Sequence, residues 1–195
     1  EEGYYIADDE ELDAYVNGEK AYISARDGDR TTLTVGYSVP VASGVRGQVV
    51  SFYDDSDVTV SLFADGSAEP QYTVAVPAGE KSGGKYTAVY DIPEAAPGTY
   101  TMRVSKKNHV TREYTVTVSG DAKTQNAEIW LLGDVNGNGV VNIKDCSRLF
   151  KHMNKTQLLT DAYALKCANT NGDSIVNIKD CSRLFKHVNK TQPLW

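Results

Sequence analysis

The sequence predicts a two-part chain: an all-β sandwich followed by a small all-α module built from two loop–helix repeats. Three observations carry this. Residues 141–157, VNIKDCSRLFKHMNKTQ, return 35 residues later as 176–192 with one change, Met153 against Val188. Each copy emerges from a loop rich in Asp, Asn and Gly. Ahead of them, residues 43–132 alternate apolar and polar positions in short β-branched and aromatic runs, the pattern of half-buried strands.

The division expected is 1–42, accessory strands or the end of an upstream module; 43–132, the sandwich; and 133–195, the helical module. In the first segment, 22–25 and 32–39 read as strands and 8–13 as an acidic loop or short helix; it is too small for a core of its own. Seven strands follow at roughly 45–53, 57–64, 70–77, 84–92, 98–106, 109–118 and 126–132. Turn signals separate them, among them Ala64-Asp-Gly-Ser67, Ser82-Gly-Gly84 and Ala96-Pro-Gly98, and that many short strands at near-regular spacing make a sandwich. In the last segment the periodicity predicts helices over 143–153, 161–168 and 178–188, with Thr160-Asp161 capping the middle one. Cys146, Leu149 and Met153 form one apolar stripe, and Cys181, Leu184 and Val188 form its match. The stripes are expected to face each other, and the two ends of the module, Trp130-Leu-Leu132 and Pro193-Leu-Trp195, to meet.

Hydrophobic residues are 41% and charged residues 24% of the chain, an ordinary globular composition. No apolar run approaches the ~18 residues of a membrane span. The opening Glu1-Glu-Gly3 is not a signal peptide, so the chain is expected to be a mature or excised C-terminal portion. Charge divides unevenly: residues 133–195 hold nine Lys/Arg and five Asp/Glu, whereas the remainder holds eleven and twenty-one. The basic residues are spread one or two per helical turn, which suits an acidic protein surface better than nucleic acid. Three cysteines, Cys146, Cys167 and Cys181, cannot make a complete disulfide framework. They form no Cys/His cluster for zinc and read as small buried residues.

The loops carry the chemistry. Read as twelve-residue EF-type loops, the first offers Asp134, Asn136, Asn138, the Val140 carbonyl and Asp145, with Gly139 at the sixth position. The second offers Asn169, Asn171, Asp173, the Ile175 carbonyl and Asp180, with Ser174 at the sixth. Alternate oxygens on a tightly wound backbone suit Ca2+, which takes six to eight oxygen ligands. Each loop has only two carboxylates, and the second has a neutral first position and a non-glycine turn. Two calcium sites are therefore expected, the first tighter than the second. No helix precedes the first loop, since 127–132 reads as strand, so each unit is a loop plus its following helix.

That pattern resembles the dockerin family, whose signature G-D-x-N-x-x-G-x-x-N-x-x-D stands here as Gly133-Asp134 to Asp145 and, with the departures noted, as Ala168-Asn169 to Asp180. The resemblance covers 133–195. It implies a calcium-stabilised module of two F-hand repeats that docks onto a cohesin domain in a cellulosome-like assembly of secreted plant-polysaccharide enzymes. The runs Pro97–Ser105 and Tyr114–Val118 resemble a carboxypeptidase-regulatory-like, transthyretin-type sandwich, the kind of X-module that accompanies dockerins.

Beside the core stripe lies a second face. Ile143 and Phe150, with Ile178 and Phe185, sit about 80° around the helix from it. Lys144, Ser147 and Lys151, with Lys179, Ser182 and Lys186, continue that face. A half-apolar surface rimmed by lysine suits a protein partner, although the phenylalanines could instead widen the core. The resemblance places cohesin contacts on this flank and at loop positions ten and eleven. Here those positions are Ile143-Lys144 and Ile178-Lys179, where many dockerins carry polar pairs.

The expected function is a non-catalytic, extracellular anchoring fragment with a cohesin partner, no nucleic acid and no membrane, a monomer when unbound. A carbohydrate-binding sandwich with a dockerin tail is the alternative, suggested by twelve tyrosines, most of them in alternating strands where packing explains them. A hydrolase is disfavoured by the lack of HExxH or GxSxG motifs, and a calcium sensor by the fixed duplicated basic face.

Overall fold

The computed structural model describes Ala14–Val16, Glu19–Arg26, Leu33–Gly36 and residues 43–195. The chain divides into two compact units, Glu1–Val41 and Ala42–Trp195. In the first unit, β1 (Ala14–Val16), β2 (Glu19–Arg26) and β3 (Leu33–Gly36) form an antiparallel sheet in that order, with a bulge between Ile23 and Ala25. The expected strands at 22–25 and 32–39 overlap β2 and β3. The acidic run 8–13 lies outside the described residues.

The second unit opens with the sandwich. Its strands are β4 (Val45–Phe52), β5 (Val58–Ala64), β6 (Tyr72–Val76), β7 (Glu80–Ser82), β8 (Lys85–Ile92), β9 (Gly98–Lys106), β10 (Arg112–Val118), β11 (Lys123–Thr124) and β12 (Ala127–Glu128). One sheet runs β10–β9–β5–β6 and is antiparallel throughout. The other runs β11–β4–β8–β7, with β12 also on β4. β11 and β12 pair with β4 in parallel, as two halves of one interrupted edge strand. At the interruption Asn126 Oδ1 accepts the Gln48 N–H at 2.9 Å, and the buried Tyr90 hydroxyl donates to the Gln125 carbonyl at 2.6 Å. These bonds satisfy groups the broken ladder leaves over.

Alternation places the core. Val45, Val49, Ala88, Tyr90 and Ile92 point inward from one sheet, and Val58, Val60, Leu62, Met102, Val104 and Val116 from the other. They form one buried cluster, each large aliphatic side chain contributing ~1.5–3 kcal/mol of burial. The chain is thus an all-β sandwich followed by a helical module, as the pattern predicted.

Three helices follow: α1 (Ile143–Met153), α2 (Ala162–Ala168) and α3 (Ile178–Val188). Their starts are written locally. Asn142 and Asn177 cap α1 and α3, each in a capping box closed by Asp145 or Asp180 three residues on. Asp161 caps α2 by accepting the Tyr163 N–H at 2.8 Å. The core joins Val135, Cys146, Leu149, Leu159, Ala164, Ala168, Leu184 and Leu194, with Trp130, Cys181, Val188 and Trp195 against it. Cys146 and Leu149 of the first stripe therefore share a core with Cys181, Leu184 and Val188 of the second, while Met153 is not part of that cluster; the module's two ends also meet there. All three cysteines are free thiols; burial raises Cys146 to about 11, with the neighbouring Cys181 adding to it.

The sandwich and helices pack together within this unit. Trp130 and Leu132 exchange backbone bonds with Val110 and Asn108, both at 2.9 Å, so the chain leaves the sandwich along its own edge. The Tyr163 hydroxyl donates to the Val110 carbonyl at 2.5 Å and accepts the Trp130 N–H at 3.0 Å. The Arg112 guanidinium lies over the Tyr163 ring at 4.5 Å.

Candidate functional site

Both loops wind through the same ladder of side-chain-to-backbone bonds. In the first, Asn136 Oδ1 accepts from the Asn138 N–H at 3.2 Å and Asn138 Oδ1 from the Val140 N–H at 2.9 Å. In the second, Asn171 and Asp173 accept from the Asp173 and Ile175 N–H groups at 2.9 and 3.0 Å. These Asx turns stack the third and fifth positions toward the seventh. Asp145 and Asp180 close the loops from the helix side. Asp145 takes the N–H groups of Val135, Asn136 and Asn142 at 2.9–3.2 Å, and Asp180 those of Asn171 and Asn177 at 3.1 and 2.9 Å.

The first position separates the loops. Asp134 is fully buried and accepts the N–H groups of Gly137, Asn138 and Gly139 at 2.8, 3.2 and 2.8 Å. Asn169 accepts only that of Gly172, at 3.1 Å. Burial pushes both Asp134 and Asp145 above the ordinary carboxyl range against those backbone bonds, and the charge of Asp134 pushes Asp145 further. Among the described residues no Lys or Arg pairs with either one. Two buried carboxylates that repel and have no basic partner fit a bound cation. No cluster of three or more His, Cys, Asp or Glu able to hold a metal occurs among the described residues. Each loop would therefore rely on its Asn oxygens and the Val140 or Ile175 carbonyl, a donor set for a hard, oxygen-seeking ion.

The sixth position differs as expected. Gly139 has φ +80°, and Ser174 adopts nearly the same turn at φ +67°, which is strained for a residue with a side chain.

The second face lies open. Ile143, Phe150, Ile178 and Phe185 are 56%, 53%, 64% and 50% exposed, and Lys144, Ser147, Lys151, Lys179, Ser182 and Lys186 are exposed around them. The phenylalanines do not widen the core. Each repeat therefore presents Ile, Lys, Ser, Phe and Lys on one surface.

His152 and His187 are half-buried, and their Nδ1 atoms accept the Leu159 and Leu194 N–H groups at 3.0 and 3.1 Å. Their spacing, seven residues before a leucine in each copy, was the available signal. Of the large hydrophobic residues on the sandwich, Tyr53 is the aromatic one that stands exposed, and its ring meets Trp195 edge-on at 5.9 Å.

Residues 132–189 match the family model of the dockerin type I domain. No curated protein matches the chain. Among solved structures, the chain is similar to an N-terminal and a C-terminal interface mutant of a type II cohesin–X–dockerin complex from Acetivibrio cellulolyticus. Each is 21% identical, covers 74% of this chain and 94% of that chain, and has a TM-score of 0.31. The paired loops, capped twin helices and family match agree in making the helical module at 132–189 similar to a dockerin type I domain.

Proposed function

We propose that this chain is a non-catalytic anchoring fragment. It attaches its parent protein, in the presence of calcium, to a cohesin-bearing scaffold of an extracellular, cellulosome-type polysaccharide-degrading complex. One observation carries the reading: a dockerin module exposes two chemically identical half-apolar, lysine-rimmed faces, one per repeat. Ile143, Lys144, Ser147, Phe150 and Lys151, or their counterparts Ile178, Lys179, Ser182, Phe185 and Lys186, would meet the partner. Because the two sets are the same, either orientation would serve.

Asp134, Asn136, Asn138, the Val140 carbonyl and Asp145 would hold one calcium ion. Asn169, Asn171, Asp173, the Ile175 carbonyl and Asp180 would hold a second. Bound calcium supplies the positive charge that lets the paired carboxylates stay buried and ionised, so metal affinity becomes folding stability. The sandwich acts as an X-module-like support for the dockerin. Among the described residues no helix is long and apolar enough to cross a membrane.

The test is binding of the whole chain to a panel of cohesin domains, in calcium and in chelator. Capture of at least one cohesin in calcium alone is expected. Equal binding in chelator, or none across the panel with calcium present, would overturn the reading.

A further inference from the structure

The two metal loops differ in what lies against them. A side chain added at Gly137 would strike the Trp130 ring, and one at Gly139 the Phe52 ring, so both aromatics rest on the bare loop backbone. At Gly172 nothing lies within 4 Å of the equivalent added atom, and Ser174 is exposed. Phe52 ends β4 of the sandwich and is 1% exposed; its own N–H is held by His109 Nε2 at 3.1 Å. Trp130 lies two residues past β12, on the segment leading out of it.

The segment these rings touch, 137–139, is the one whose three N–H groups bind Asp134. Groups that fix the orientation of a metal ligand from outside tune the metal's affinity. Here the outer groups belong to the junction with the sandwich. We infer that Phe52 and Trp130 are positioning residues for the first metal loop, so that its metal uptake and its seating on the sandwich are one coupled event while the second loop loads independently. The inference rests on the reading of both loops as calcium sites. Coupling of this kind is reciprocal: what loosens the seat weakens the metal, and what removes the metal loosens the seat.

The experiment is calorimetric calcium titration of the whole chain. Asp180→Ala isolates the first loop and Asp145→Ala the second. Phe52→Ala is expected to weaken the first loop about tenfold and to move the second by less than about twofold. Gly139→Ser weakens the first loop by more than Ser174→Gly strengthens the second, because only the former drives a side chain into Phe52. In the double variant Phe52→Ala/Gly139→Ser the loss is smaller than the product of the single losses, since the collision is gone. Should Phe52→Ala fail to fold, the Gly139→Ser and Ser174→Gly comparison decides by itself. An unchanged first loop, equal losses at both loops, or fully multiplicative losses overturn the coupling. No calcium uptake by the unaltered chain overturns the site reading instead.

Discussion

The two repeats differ at one position in seventeen, yet they sit in different surroundings. The first loop has its glycines under Phe52 and Trp130 and a fully buried Asp134 holding three N–H groups. The second has an amide at that place, one N–H bond and open space. The helices that follow are alike down to the capping box, the exposed Ile/Phe pair and the positive-φ lysines, Lys155 and Lys190, that end them. Duplication has thus been kept where a partner would touch and relaxed where the sandwich touches. A repeat needs identical surfaces to offer two equal modes, whereas its loops need only fold.

The sharpest way to break this comparison is to blunt both faces. In either orientation one phenylalanine would occupy the centre of the contact. Phe150→Ala or Phe185→Ala alone removes one of two modes and should cut cohesin affinity only about twofold. The double variant should lose roughly 2–4 kcal/mol, the size of an interface hot spot. Equilibrium binding by calorimetry reads this directly. A single variant that already abolishes binding would mean that the repeats are unequal at the partner face too.

A second comparison concerns how the repeats end. Leu159 and Leu194 are both buried, and each gives its N–H to the histidine seven residues back. In the second repeat the leucine is followed by Trp195, whose ring lies 4.6 Å from His187 and 5.9 Å from Tyr53 of the sandwich. Deleting residues 193–195 removes this burial and should cost roughly 2 kcal/mol. The melting temperature in calcium should fall accordingly; an unchanged value would show the tail to be ornamental. A smaller effect is expected at the turn of the second loop. Ser174→Gly relieves a side chain held at φ +67° and should stabilise by about 0.5–1 kcal/mol, seen as a higher melting temperature in calcium.

Much of this was legible because it is local. The limits of α1 and α3 coincide with the expected 143–153 and 178–188, and α2 starts one residue late, since Asn and Asp caps mark helix starts within a few residues. Helical period placed Phe150 and Phe185 beside the core stripe but left open whether they widened it; the structure leaves both exposed. Contacts between distant segments were not legible. Phe52 read as one more strand residue and Gly139 as one more turn, and nothing within either run says that they touch. The change from Gly139 to Ser174 was nonetheless a visible hint, for only the first must be bare on its outer side. The short strands β7 and β11 escaped because two or three exposed residues show no alternation. Lys106 read as the last residue of the 98–106 strand, yet its ammonium is buried against Ser51 Oγ at 3.0 Å and the Asp54 carbonyl.

The finest probe of the difference between repeats is pH, because His109 lies behind the first loop only. Its Nδ1–H donates to the Lys107 carbonyl at 2.7 Å while Nε2 accepts the Phe52 N–H at 3.1 Å, an arrangement that requires the neutral ring. Burial lowers its pKa below the ordinary 6.5, and the charge of Lys106 adds to this; the Lys107 carbonyl and Asp54 act the other way. The folded state therefore holds fewer protons on this group than the unfolded chain does. Its stabilising contribution is complete above the unfolded value of 6.5 and is lost as pH falls from there through the lowered folded value. His187 shifts in the same direction through burial, so the measurement belongs in a His187→Gln background. There the melting temperature in calcium should drop modestly between about pH 7.5 and about pH 5.5. His109→Gln should flatten most of that drop, since a glutamine amide does not titrate. A slope that survives this change would place the pH-sensitive group elsewhere and leave the seat of the first loop indifferent to protons.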